Sequence, residues 1–221
     1  MPVAVRVWDL PTRLFHWALV ACVVGLVTTA QLGGSAMLWH FQLGYLMFSL
    51  LVFRLAWGLM GGRWSRFASF IYAPSTLMRF IRGEGKPEQT VGHNPLGALS
   101  VFALLTLLLL QVSSGLMSDD EISNAGPLSR WVSGFIVSNA TNYHKNIGKF
   151  ILIGLVVLHV ATIFFYLLKK KENLIVPMIT GDKQLPLPTP STRDDFRSRS
   201  LALVLFAFAV ASVQAMVYLL A

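Results

Sequence analysis

Four stretches of this chain carry no Asp, Glu, Lys or Arg: Leu14–Phe53, Gln89–Ser118, Phe150–Leu168 and Ser200–Ala221. A helix crossing the hydrocarbon core of a bilayer needs roughly 20 predominantly apolar residues. Each run reaches or approaches that length, and the first is long enough for two crossings. The stretch Gln31–Trp39, with Gly33 and Gly34, offers the turn between them. Transmembrane β-strands would alternate polar and apolar residues over about ten positions, whereas these runs are apolar on every side. The reading is therefore an all-α integral membrane protein with spans at about 14–32, 40–60, 97–117, 150–168 and 200–220. Soluble classes are excluded. Thr28-Thr29-Ala30 loosely resembles a signal-peptide cleavage site, but Asp9 and Pro11 sit where a simple basic leader is expected. Span 1 is accordingly expected to stay in the protein.

Only 13% of the residues are charged, and the net charge is +8 with a pI near 10. In a soluble chain that balance would suggest nucleic acid. Here fourteen of the 18 basic residues fall before span 1, between spans 2 and 3, or between spans 4 and 5. The positive-inside rule makes that side cytoplasmic, with the N-terminus inside and the C-terminus outside. Topology and anionic headgroups account for the charge. Cys22 is the single cysteine, so no intramolecular disulfide and no Cys-x-x-Cys-His haem attachment is available, and it reads as a small apolar core residue.

Ionisable groups inside spans are functional candidates, which turns attention to the five histidines. His16 opens span 1 near the cytoplasmic side. His40 opens span 2 and His144 precedes span 4, both towards the outer face. His159 lies 15 residues beyond His144, a rise of roughly 22 Å and a rotation about 60° past four full turns. Two histidines so placed face one side at different depths and cannot share one metal ion. Each can hold a haem if another helix supplies the opposite ligand. Depth pairs His40 with His144 and His16 with His159, although the naive depths of the second pair differ by roughly 10 Å. His93, at the inner start of span 3, is a rival ligand. Gly44 and Gly148 each lie one turn after a histidine and would leave room for a flat porphyrin or for close helix packing. Arg54 is the only charge inside a span, so it either meets an anion such as a haem propionate or snorkels to the inner interface. Arg13 is the candidate for the second propionate.

The order and spacing of several motifs now matter. Val7-Trp8-Asp9-Leu10-Pro11-Thr12-Arg13 runs into Phe15-His16-Trp17. His40 with Gly44-Tyr45 is followed by Arg54-Leu55-Ala56-Trp57-Gly58, Gly92-His93-Asn94-Pro95-Leu96-Gly97, and Met178-Ile179-Thr180-Gly181. Over about residues 5–185 the chain resembles the bacterial cytochrome b561 family, which includes the b-subunits of nickel–iron hydrogenases. The resemblance implies a four-helix membrane bundle holding two b haems, with His16, His40, His144 and His159 as axial ligands to the iron and His93 as a non-ligand. It also implies a quinone, ubiquinone or menaquinone, at one end of the path and a periplasmic cytochrome c or hydrogenase-like redox protein at the other.

Residues 1–185 then form the di-haem domain, 186–199 a cytoplasmic linker, and 200–221 an additional transmembrane helix outside the four-helix core. The expected setting is the bacterial inner membrane. Two alternatives have their own signatures. A stand-alone superoxide:quinone oxidoreductase would need a cationic pocket at the outer haem, for which Lys145 and Lys149 are candidates. A haem-free transporter or assembly factor would show no b-type absorption. Two connecting segments are amphipathic: Phe67–Arg82 is basic and rests on the headgroups, and Asn124–Tyr143, with Trp131 and Phe135, is either an interfacial helix shaping a quinone pocket or docking face or, the favoured expectation, a surface-lying loop.

Overall fold

A computed structural model describes residues 3–186 and 188–220. The structure is 71% helical, and among the described residues five helices are long and apolar enough to cross a membrane: Leu10–Leu32, Ala36–Met60, Pro87–Leu116, Gly134–Leu168 and Phe196–Leu220. The protein is a multi-pass, all-α membrane protein. In order, the elements are strand β1 (Val3–Arg6), α1 (Leu10–Leu32), α2 (Ala36–Met60), α3 (Pro74–Ile81), α4 (Pro95–Leu116) and α5 (Gly134–Asn142). A π-helical turn (Tyr143–Gly148) then leads into α6 (Lys149–Leu168), α7 (Ile175–Thr180), strand β2 (Asp182–Leu185) and α8 (Phe196–Leu220). Large apolar side chains stay exposed along the long helices, among them Phe150, Val157, Phe164 and Phe208. Lipid, not water, is the solvent that suits such a surface.

The chain divides into two compact units that cut across α1, α2, α4, α6 and α8. The first unit comprises Met1–His16, Arg54–Ala103 and Leu158–Leu205. Its small sheet pairs β1 antiparallel with β2, Val3 opposite Leu185 and Arg6 opposite Asp182. Val5, Val7, Trp8, Val91 and Leu185 bury one face of it, with Trp64 and Met178 packed alongside. Gly181 closes α7 at φ +93°, a conformation open to glycine, and its carbonyl accepts the N–H groups of Val7 and Trp8. A side chain there would also meet the Trp8 carbonyl at 2.6 Å.

Asp9 starts α1. Its carboxylate accepts from the Thr12 N–H at 2.8 Å, the usual bond from an N-cap residue to the third helical residue. The same carboxylate accepts from Trp57 Nε1 at 3.2 Å and Ser65 Oγ at 2.8 Å. Asp9 is fully buried, and these three donors are what make its burial tolerable.

The stretch between β2 and α8 is tied to the N-terminal strand. Thr192 N–H donates to the Arg6 carbonyl at 2.7 Å. Asp194 accepts from the Leu10 N–H at 3.1 Å, Arg6 at 2.8 Å and Arg199 at 3.0 Å. Asp195 accepts the Ser198 N–H at 2.8 Å and caps α8, which starts at Phe196, earlier than the apolar run alone indicates.

The second unit comprises Trp17–Phe53, Leu104–Val157 and Phe206–Ala221. Its buried side chains include Cys22, Met47, Leu51, Phe53, Leu108 and Val112, and α8 adds Ala209 and Val213. Phe53 and Phe206 meet edge to face at 5.9 Å. The segment after α4 returns against that helix, with Gly126 and Leu128 donating to the carbonyls of Ser118 and Leu116. It then forms α5, so residues 134–142 are helical where a surface loop was the favoured expectation.

Burial alone would raise the Asp194 pKa, but the hydrogen bonds from Arg199, Leu10 and Arg6 outweigh it and hold the carboxyl below its ordinary value of 3.8. Folding therefore lowers this pKa, so the stabilisation is complete above the unfolded value and is lost as pH falls through the folded one. Asp194→Asn is expected to destabilise the protein at neutral pH by about 2 kcal/mol, a loss of several degrees in midpoint. Thermal unfolding in detergent checks this, and the gap to wild type should close on acidification below 3.8.

Candidate functional site

Two histidine sites emerge, one inside each unit. In the second unit, His40 on the first turns of α2 faces His144 in the π-helical turn. Their ring centroids are 6.2 Å apart with planes at 86°. Neighbouring helices fix both rings. His40 Nδ1 lies 3.1 Å from the Leu26 carbonyl of α1, and Thr29 Oγ1 is 3.2 Å away. His144 Nδ1 lies 2.8 Å from the Gln111 carbonyl of α4, with Ser114 Oγ at 3.4 Å. A carbonyl oxygen only accepts, so Nδ1 carries the proton in each ring and Nε2 keeps its lone pair.

Two imidazoles bound through Nε2 on opposite sides of one metal, with bonds of about 2 Å, have centroids about 6 Å apart. The observed pair has that spacing and that tautomer. No group of three or more His, Cys, Asp or Glu side chains among the described residues is placed to hold a metal ion. The two imidazoles fit a haem held between them.

The glycines behave differently from one another. Open space surrounds the position of a Cβ at Gly44, one turn after His40. At Gly148 that position is occupied by Gln111 Oε1 and the Tyr143 ring, which lie against the bare backbone. Gly115 was not anticipated: a Cβ there would stand 2.7 Å from His144 Cε1, so the imidazole lies against bare backbone. The π-helical turn was also not legible, although such turns are frequent at functional sites. Lys145 is exposed beside His144, and Lys149 stacks on Phe150 at 4.7 Å.

The first unit gathers His16, His93, His159 and Arg54. His16 lies seven residues into α1 and His159 in the middle of α6. The two are close enough to interact electrostatically, as are His93 and its neighbours Arg54, His159 and His16. The depth mismatch inferred from the sequence does not keep His16 and His159 apart. His93 is packed between the Trp8 and Phe70 rings at 4.6 and 4.5 Å, and its Nδ1 is buried with no hydrogen-bond partner. Asn94 next to it caps α4 through Gly97 N–H and donates to Tyr166 Oη at 3.0 Å, which fixes the start of that helix.

Arg54 is only 3% exposed, so it does not snorkel. Its guanidinium lies over the Phe67 ring at 4.6 Å and near Phe15 at 6.0 Å, and Nη1 is buried without an acceptor. A buried cation with an unused donor fits an anionic group such as a haem propionate. Arg13 is differently engaged: it donates to the Ile179 carbonyl at 2.6 Å and approaches Asp194 at 3.7 Å. Its fork is turned towards α7 and the segment before α8, because Asp194 supplies an anion there.

Residues 7–181 match the family model described as prokaryotic cytochrome b561. The chain belongs to this family. Among curated relatives, the probable Ni/Fe-hydrogenase B-type cytochrome subunit of Rhizobium leguminosarum bv. viciae is 23% identical over 214 residues, covering 81% of this chain and 89% of the relative. Proteins of the same description from Escherichia coli K12 and Azotobacter vinelandii are 21% and 24% identical, covering 79% and 80% of this chain and 88% of each relative. No solved structure matches. The cytochrome b561 chain is thus a membrane cytochrome that transfers electrons by means of haem b, and the haem-free reading falls away.

Gly115→Ala is expected to push the His144 ring off its seat and lower the haem b bound per chain. A reduced-minus-oxidised spectrum of the purified variant checks this, and wild-type absorbance would contradict it.

Proposed function

We propose that this cytochrome carries electrons through two b haems between the membrane quinone pool and a redox protein on the outer face. His40 and His144 would hold one haem, and His16 and His159 the other. The observation that carries the reading is the His40–His144 spacing of 6.2 Å with both Nδ1 atoms engaged by backbone carbonyls. Haem b, when bound, would supply one-electron redox chemistry. The chain's own part is to fix ligand geometry and shape the electrostatics.

The carbonyls of Leu26 and Gln111 hold the two rings as neutral Nδ1–H tautomers and increase the donor strength of each Nε2. Arg54 would balance a propionate of a haem held by His16 and His159, and the Phe67 and Phe15 rings lie against that guanidinium. His93, with its buried free Nδ1, stands beside that site as a polar neighbour and not as a ligand. The names of the curated relatives support a hydrogenase-like redox enzyme as the partner, and a periplasmic cytochrome c is the other candidate. The distribution of basic residues supports a cytoplasmic N-terminus, a periplasmic C-terminus and the bacterial inner membrane as the setting. Residues 1–185 act as the di-haem domain. Residues 186–199 join it to the added helix 200–221, which Asp194 clamps to the start of α1.

His159→Ala is expected to remove one haem and leave the His40–His144 haem with its spectrum intact. Loss of neither haem would assign the ligand role to His93 or another group. Quinol added to the purified protein should reduce the b bands, which visible absorbance follows directly. A cytochrome inert to ubiquinol and menaquinol analogues would contradict the quinone assignment.

A further inference from the structure

Gln111 is a polar residue in the C-terminal part of the apolar helix α4. Its side-chain Nε2 donates to the His144 carbonyl at 3.0 Å, while its backbone carbonyl accepts from His144 Nδ1 at 2.8 Å. The two residues therefore hold each other through a reciprocal pair of hydrogen bonds between α4 and the π-helical turn. The amide orientation is forced, because only its nitrogen can serve a carbonyl. Its oxygen is then left buried without a partner, pressed against Gly148.

For folding alone this is a poor choice. Burying an amide oxygen without a donor costs stability that a leucine would not lose. Departures of this kind are expected where function sets the residue. A π turn takes backbone groups out of the ordinary helical register, and the Gln111 amide serves the carbonyl of the histidine within it. Gly148 completes the arrangement by leaving space for that amide.

We infer that Gln111 is a positioning residue that sets the reduction potential of the haem held by His144. The side chain anchors the His144 backbone so that the imidazole N–H stays aligned on the Gln111 carbonyl. That alignment makes Nε2 a stronger donor and favours the ferric state. Without the amide, the ring relaxes, its hydrogen bond weakens, and the potential rises. This inference rests on His144 being an axial ligand.

The test uses the full-length purified cytochrome and spectro-electrochemical titration of Gln111→Met, which preserves volume and removes the amide. The expected result is an approximately tenfold loss of ferric-over-ferrous preference, or a rise of about 59 mV at that haem, with the other haem unmoved. Low-spin ferric EPR lines should shift as the ring reorients. Gly148→Ala, which would displace the amide without altering Gln111, is expected to raise the same potential. Unchanged potentials and EPR lines in both variants would overturn the inference, as would loss of both haems, which marks a merely structural role. His144→Ala separates the two claims: if it keeps every haem, the ligand reading itself fails. If it loses one haem while Gln111→Met is silent, only the inference fails.

Discussion

The second unit is organised around one physical requirement: an imidazole buried among apolar helices must give its N–H to an acceptor. The acceptors available are backbone carbonyls already within helices, Leu26 of α1 for His40 and Gln111 of α4 for His144. Each bond fixes a tautomer, and each leaves the opposite nitrogen with its lone pair. The 6.2 Å centroid separation follows from where α1 and α4 hold the two rings. Ligand competence is in this sense a property of helix placement as much as of histidine.

The first unit meets a related problem with charge. Asp9 is buried and tolerated because Thr12, Trp57 and Ser65 supply three donors. Asp194 is served by Arg6, Arg199 and the Leu10 N–H, which joins the start of α1 to the start of α8. Arg54 differs, because aromatic rings surround it and one donor is left over. Arg13 shares this feature in part, since its Nε is also buried without an acceptor while the rest of its guanidinium reaches Ile179 and Asp194.

Much of this was legible in the sequence, for identifiable reasons. Charge-free runs report lipid directly, so the five spans stood out. Histidine and arginine are costly in such runs, which made His16, His40, His144, His159 and Arg54 conspicuous. The motifs around them carried the family. What stayed hidden depends on contacts distant in sequence or on local backbone detail. The Arg6–Asp194 pairing spans 188 residues, and nothing in 186–199 alone announces a clamp. The π-helical turn has no compositional signature, so the partner of Gly148 could not be foreseen. Gln111 and Gly115 gave a faint signal, a polar residue and a glycine within a leucine-rich span, but only the fold shows that both serve His144.

The central claim is that the chain holds two bis-histidine b haems. Haem quantitation against protein mass on the purified cytochrome, combined with EPR of the oxidised form, addresses it most directly. The account predicts two haems per chain, both low-spin and six-coordinate. A single haem per chain, or a high-spin five-coordinate signal at full occupancy, would contradict it.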